Sequence, residues 1–190
     1  MFIDLTLEIT KEMWTAATTN LSRSFNGHIG THFDVENQTF PLEYCRRKGW
    51  IFDVRSVPMD REIGVDDIDL SKVESGMFVG FFSGYIETEP YGSKKYFAEH
   101  PALSVDLIEK LIEKEVSLVG LDFSGMRLGA EHNPMDRHCA EHGMFAVENM
   151  ANLGAAAERP LTVYVFPMRF AGMTGLPCRV LAESLTTSFE

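Results

Sequence analysis

The segment Met77-Phe78-Val79-Gly80-Phe81-Phe82 carries no polar side chain, and this constrains the fold more than any other feature of the chain. A strand with one face in water alternates apolar and polar residues, whereas an unbroken apolar run belongs to a sheet buried on both faces. Strand-like and helix-like segments alternate around it, with no linker, internal repeat or low-complexity stretch. Phe2 to Ile9, Trp50 to Val57, Val116 to Asp122, Met144 to Glu148, Leu161 to Pro167 and Arg179 to Leu185 read as further strands. Ser104 is a plausible N-cap for the clearest helix, Val105 to Lys114, whose Leu107, Ile108, Leu111 and Ile112 recur at helical spacing. Met135 to His142 reads as a second helix, Val65 to Ile68 as a short helix or turn, and Thr15 to Asn26 as a polar loop. The expectation is one mixed α/β domain, and 190 residues suffice to bury its core without staples.

The densest chemistry lies in Gly27-His28-Ile29-Gly30-Thr31-His32-Phe33-Asp34. On an extended backbone His28, His32 and Asp34 point one way, while Ile29 and Phe33 point into the opposite layer. On a helix Asp34 would sit about 240° around from His28. Ile29, Thr31, Phe33 and Val35 favour the strand. Two imidazoles and a carboxylate converging on one point form a first shell for zinc, manganese or iron. Gly30 would let the backbone bend close to such an ion. The same residues also fit a histidine-rich turn that holds no metal.

A second cluster runs Gly129-Ala130-Glu131-His132-Asn133-Pro134-Met135-Asp136-Arg137-His138, followed by Val147-Glu148-Asn149. Glu148 closes an apolar run, where a carboxylate needs a cation or donors around it, unless it is an exposed strand end. His132, His138 and His142 fit surface roles as well as ligand roles. His100, before Pro101, reads as structural.

Composition narrows the partners. A net charge of −11 argues against a nucleic-acid or anionic-membrane surface, and it equally serves to keep the protein soluble; a small-molecule substrate is the partner expected from the chemistry of the site. Cys45, Cys139 and Cys178 are far apart, which suits a reducing cytosol rather than a disulfide framework. No apolar run is long enough to span a membrane. Met1-Phe2-Ile3-Asp4-Leu5 lacks the basic-then-apolar pattern of a signal peptide. The expected location is the cytoplasm.

These residues resemble the cyclase family of metal-dependent hydrolases, which includes bacterial kynurenine formamidases and isatin hydrolases. The family motif His-x-Gly-Thr-His-x-Asp-x-Pro-x-His corresponds to His28-Ile29-Gly30-Thr31-His32-Phe33-Asp34. Ile3-Asp4-Leu5-Thr6, His100-Pro101-Ala102-Leu103-Ser104, Val119-Gly120-Leu121-Asp122, Glu148-Asn149-Met150-Ala151-Asn152-Leu153 and Gly172-Met173-Thr174-Gly175-Leu176-Pro177-Cys178-Arg179 are similar to further family segments in the same order. The resemblance implies a swivelling β/β/α domain with a mixed central sheet, a homodimer or homotetramer, and one or two divalent ions, zinc or manganese. It implies His28, His32, Asp34 and Glu148 as ligands, and metal-activated water acting on a small amide, formamide or cyclic amide.

The chain departs from the family pattern near the same site. Glu36-Asn37-Gln38 stands where the motif continues Pro-x-His, and glutamine exchanges no proton near neutral pH. Asp136 stands where the family has a ligand histidine twelve residues before the glutamate; an aspartate can ligate the same ions, and more oxygen donors tilt preference toward manganese or iron. Phe82-Ser83-Gly84-Tyr85 lacks the family's arginine, and since all three departures fall near the expected site, the substrate expected is not N-formylkynurenine. His132 is the candidate for the lost proton-transfer role, with a supporting role to Asp136 equally open. Glu36 and Glu131 are the alternatives. Phe25, Phe33, Phe82 and Tyr85 are candidate walls for a planar substrate. A non-hydrolytic binder and a metal-dependent lyase on the same scaffold are the competing functions.

Overall fold

A computed structural model describes residues 1–19, 26–36 and 38–184. Its strands are β1 (Phe2–Asp4), β2 (His32–Asp34), β3 (Arg46–Asp53), β4 (Phe78–Phe82), β5 (Leu118–Leu121), β6 (Phe145–Glu148), β7 (Leu161–Pro167) and β8 (Gly175–Ser184). Its α-helices are α1 (Lys11–Thr19), α2 (Tyr85–Thr88), α3 (Lys94–Ala98), α4 (Val105–Glu113) and α5 (His132–Glu141). The strands pair in the order β1-β8-β2-β6-β5-β4-β3-β7, and β7 returns to β8. Seven strands therefore close on themselves, with β1 added to one edge of β8. Strands β3, β4, β5 and β6 run parallel; β2, β7 and β8 pair antiparallel. This is the mixed α/β domain the segments predict, in the β/β/α architecture that the family resemblance implies.

The apolar run in β4 is explained by two cores. Val79 and Phe81 pack outward with Leu107, Ile108 and Leu111 of α4, whereas Phe78 and Phe82 pack inward with Phe33, Val147 and Val163. The inward face has room for Phe78 because β5 offers a glycine beneath it: a Cβ on Gly120 would meet Phe78 Cζ at 2.2 Å. Helix α4 begins at the expected cap, Ser104 Oγ accepting from Leu107 N at 3.2 Å. The carboxylate that ends β5, Asp122, accepts from Ser83 N, Ser83 Oγ and Gly84 N and so clamps the β4–α2 turn. Burial comes first among its influences and pushes its carboxyl up to about 6, against those donors.

Several elements differ from the sequence reading. Strand β1 stops at Asp4 rather than Ile9, because the Thr6 hydroxyl takes over pairing with Val180, accepting from its N–H and donating to its carbonyl. Thr15–Thr19 is helical, not loop. Met13 N donates to Thr10 Oγ1 at the start of α1, and Thr15 Oγ1 donates back to Lys11 O, which satisfies the hydroxyl within the helix. Strand β3 occupies Arg46–Asp53 instead of Trp50–Val57, drawn forward by antiparallel pairing with β7. Strand β8 starts at Gly175, inside the expected turn, because Gly175–Pro177 pairs with β2. Among the described residues, no helix is long and apolar enough to cross a membrane.

Candidate metal centre

Register brings the first two donors together. In the β2–β6 ladder His32 lies directly opposite Glu148, and opposed residues of an antiparallel pair project from the same face. Asp34, two residues along, shares that face, while Phe33 and Val147 point into the inner core. His32 Nε2 lies 3.5 Å from Asp34 Oδ1 and 3.6 Å from Glu148 Oε2.

His28 precedes β2, in a turn rather than on an extended strand, yet it reaches the same point. Gly27 has φ +82°, and a Cβ on it would stand 1.9 Å from Gly175 O. A Cβ on Gly175 would meet His28 Cδ2 at 2.3 Å. These two glycines leave the slot in which the imidazole lies against β8, its Nε2 3.0 Å from Thr174 Oγ1. His28 Nδ1 then sits 3.5 Å from Asp34 Oδ1. Gly30 serves differently from the expectation: its φ is +61° and a Cβ would strike Ile9 Cδ1 at 2.7 Å, so turn geometry and packing require it.

Helix α5 supplies the rest. His132 and Asp136 are one turn apart on one helix face, and His132 Nε2 is 3.2 Å from Asp136 Oδ2 and 3.7 Å from Glu148 Oε1. Two sets of donor atoms result, each within 4.8 Å of one another: His28, His32 and Asp34, and Asp34, His132, Asp136 and Glu148. Asp34 belongs to both.

The donor chemistry fits a cation. His32 Nδ1 lies 2.9 Å from Gly30 O, an acceptor only, which assigns the proton to Nδ1 and leaves the Nε2 lone pair facing two carboxylates in the neutral ring. That Nε2, both Asp34 oxygens and Asp136 Oδ1 are buried without a hydrogen bond among the described residues. Buried carboxylates and a lone pair so arranged repel one another unless positive charge lies between them. Burial raises the Asp34 carboxyl, but positive charge on the adjacent imidazoles of His32 and His28 would outweigh it and hold Asp34 well below the usual range. Burial, then the charges of Asp34 and Glu36, push Asp136 up.

All five expected ligands thus converge, and His132 with them. Glu36 does not continue the strand: β2 ends at Asp34, Glu36 has φ +43°, and its Oε2 lies 3.5 Å from Arg137 Nη2. Glu131 is held by Arg127, and His138 by Glu109 at 2.9 Å, away from the donors. Gln38 is exposed. Phe33, Phe82 and Tyr85 are core residues rather than a substrate wall, because Phe33 and Phe82 pack into the inner core and Tyr85 into the outer one; Phe25 lies outside the described residues.

Other residues line the open space beside the donors. A cavity of about 280 Å³ beside the donors is lined by His28, His32, His132 and Glu148 together with Phe97 and His100. A second, of about 320 Å³, shares His28 and Phe97 and extends under Met13, Ala16 and Tyr91. His100, expected as structural, stacks on Phe123 and also lines this cavity. Asn149 was also not singled out: its Nδ2 donates to Gly30 O and its Oδ1 accepts from Tyr96 Oη, tying the His28–His32 turn to β6.

The donors define a class of site, one whose mixed nitrogen and oxygen groups could hold a divalent ion. The chain belongs to the cyclase family: the family described as "Putative cyclase" matches residues 3–126, a span that ends before Asp136 and Glu148. No curated protein matches the sequence. Among solved structures, one described as a potential metal-dependent hydrolase with cyclase activity is similar with TM-score 0.76 and 21% identity over 96% of both chains. A predicted metal-dependent hydrolase from Bacillus stearothermophilus gives 0.73 and 22% over 96% of this chain and 97% of its own. An isatin hydrolase bound to thioisatinate gives 0.70 and 20% over 82% and 71%. These likenesses establish the fold.

Proposed function

We propose that this chain is a metal-dependent hydrolase acting on a small amide, formamide or cyclic amide. The observation that carries the reading is the buried pair of donor sets sharing Asp34 beside an open cavity. The relatives of the same fold described as metal-dependent hydrolases and isatin hydrolase support it.

His28, His32 and Asp34 would hold one ion, and Asp34, Asp136 and Glu148 a second. Zinc suits the nitrogen-rich set, manganese the oxygen-rich one. A divalent ion supplies a Lewis acid that polarises a carbonyl and makes water a better nucleophile near neutral pH. The chain's residues do the remaining work. Asp34 fixes the spacing of the two positions. Gly30 O and Thr174 Oγ1 orient the imidazoles of His32 and His28. With a single ion on His28, His32 and Asp34, His132 would take a proton from the attacking water and pass it to the leaving nitrogen from the cavity wall; with two ions His132 would join the ligands and Glu36 would take that proton role. Phe97 flanks the substrate. We also place the protein in the cytoplasm as a homodimer or homotetramer, with exposed Leu42, Phe166 and Met168 as candidate contacts.

The test is metal analysis of the purified chain together with hydrolysis of N-formyl aromatic amines and cyclic amides, before and after chelation. Bound zinc or manganese at one or two per chain, and turnover lost with chelator or with Asp34→Ala, is the expected result. Turnover untouched by chelation refutes the reading. Acid products that acquire no label in oxygen-18 water would favour a lyase instead.

A further inference from the structure

His100 follows α3 and lines the metal-site cavity, but belongs to neither donor set. Its side chain is fixed in place and in tautomer. The ring stacks on Phe123, with centroids 5.6 Å apart and planes 22° from parallel. Nδ1 lies 2.7 Å from Pro101 O, and a carbonyl only accepts, so Nδ1 carries the proton. Burial lowers its pKa to about 4 against the help of that carbonyl, so the ring stays neutral. In a neutral ring protonated at Nδ1, Nε2 is an acceptor. That Nε2 takes no hydrogen bond from any described residue, and it is not among the sealed polar atoms. A residue that is 3% exposed thus leaves its acceptor unsealed; it borders the cavity beside the metal donors and also a cleft lined by Tyr85, Lys95 and Glu99, and the electrostatic influence of His132 on it places the ring beside the former. Phe97, near the end of α3 and three residues before His100, lines both the metal-site cavity and the apolar one under Met13, Ala16 and Tyr91.

We propose that His100 is a substrate-binding residue whose Nε2 accepts a hydrogen bond from a substrate N–H, making the cavity selective for secondary amides and lactams over N-alkylated analogues. The inference rests on the hydrolase reading above and deepens it. The apolar body of the substrate lies along Phe97 toward Met13 and Tyr91. An analogue without the N–H leaves Nε2 unpaired on the cavity wall and sets a methyl group against it. A single neutral hydrogen bond of this kind is worth about tenfold in affinity.

The experiment titrates the full chain, manganese-loaded and chelator-treated, with 2-oxindole and N-methyl-2-oxindole by calorimetry. Metal content is read separately, by manganese electron paramagnetic resonance. Wild type should bind the N–H lactam about tenfold more tightly in at least one of the two forms. His100→Leu should bring the ratio within about twofold while manganese uptake is unchanged. His100→Gln, which restores an acceptor, should keep part of the preference and stands in if the leucine variant does not fold. Equal binding of the two lactams, failure of both to bind, or a ratio unchanged in both variants overturns the inference. Failure of manganese uptake, by contrast, counts against the hydrolase reading, whatever the lactam ratio.

Discussion

Gly125→Ala is the sharpest perturbation the structure offers, because it attacks the candidate centre through a residue that holds nothing itself. Gly125 has φ +107°, a conformation that costs an alanine about 1–3 kcal/mol. A Cβ there would lie 2.1 Å from Nδ1 and 2.2 Å from Cε1 of His132, and 3.2 Å from Arg127 O. The first two separations are impossible, so the imidazole must swing away. It then loses Arg127 O, 3.3 Å from Nδ1, worth about 0.5–1.5 kcal/mol. The expected destabilisation is therefore about 2–4 kcal/mol by urea unfolding of the metal-free chain. Swinging His132 also removes it from Asp136 and Glu148. Whether His132 is a ligand or only orients Asp136, manganese affinity against a competing chelator should fall about 10–100-fold. His132→Ala clears the space that the new Cβ needs, so the two changes should not add in metal affinity. The double variant should bind manganese like His132→Ala alone while retaining the backbone cost in stability. Wild-type metal affinity in Gly125→Ala, or losses that multiply in the double variant, would refute the placement of His132 among the donors.

Manganese at a hundred times its dissociation constant should stabilise the chain by about 2.7 kcal/mol, seen as a Tm rise of about 5–11 °C for a chain of this size. Asp34→Asn should abolish that rise, since both donor sets use Asp34; a rise that persists contradicts the shared carboxylate. Phe33→Ala should cost about 3–5 kcal/mol, because Phe33 is fully buried between the two donors of β2, and should weaken manganese binding as well. His100 contributes with a definite sign. Its folded pKa of about 4 lies below the ordinary 6.5, so the stabilisation is present above pH 6.5 and lost as pH falls toward 4, by about 3 kcal/mol. The stability gap between wild type and His100→Gln should shrink by that amount between pH 7 and pH 4; a constant gap would show that the imidazole titrates normally.

The order of strands and helices was legible wherever one strong local pattern dictated it. Phe78–Phe82 is apolar because two cores meet on its faces, and Ser104 with Leu107, Ile108 and Leu111 marks α4 by cap and periodicity. What stayed hidden were the boundaries set by partners distant in sequence. Thr6 ends β1 by pairing with Val180, and β8 starts at Gly175 because β2 lies beside it. No window of local sequence contains those partners. Closure of the sheet through β7 and β8 is hidden for the same reason.

For the site, the donor types were legible and their geometry was not. His28, His32 and Asp34 meet although only His32–Asp34 is strand, because Gly27 and Gly175 clear a slot for His28 that no alternation rule describes. Whether His132 is expected in a loop or in a helix turns on how Pro134 is read. Pro134 suggests that a helix can begin only after it, at Met135, which leaves His132 in a loop. In α5 it instead occupies the first turn, where a missing N–H costs nothing because no intrahelical partner exists for it. Starting the helix at His132 puts that residue one turn from Asp136, on the face turned toward Glu148. The imidazole beside the carboxylates therefore comes from a helix start, while position 38, where the family motif has its last histidine, holds an exposed glutamine. A Pro134→Ala change should accordingly leave the donor geometry and manganese affinity intact, since the helix start does not depend on the proline ring; loss of affinity there would mean that Pro134, not the α5 register, holds His132 in place.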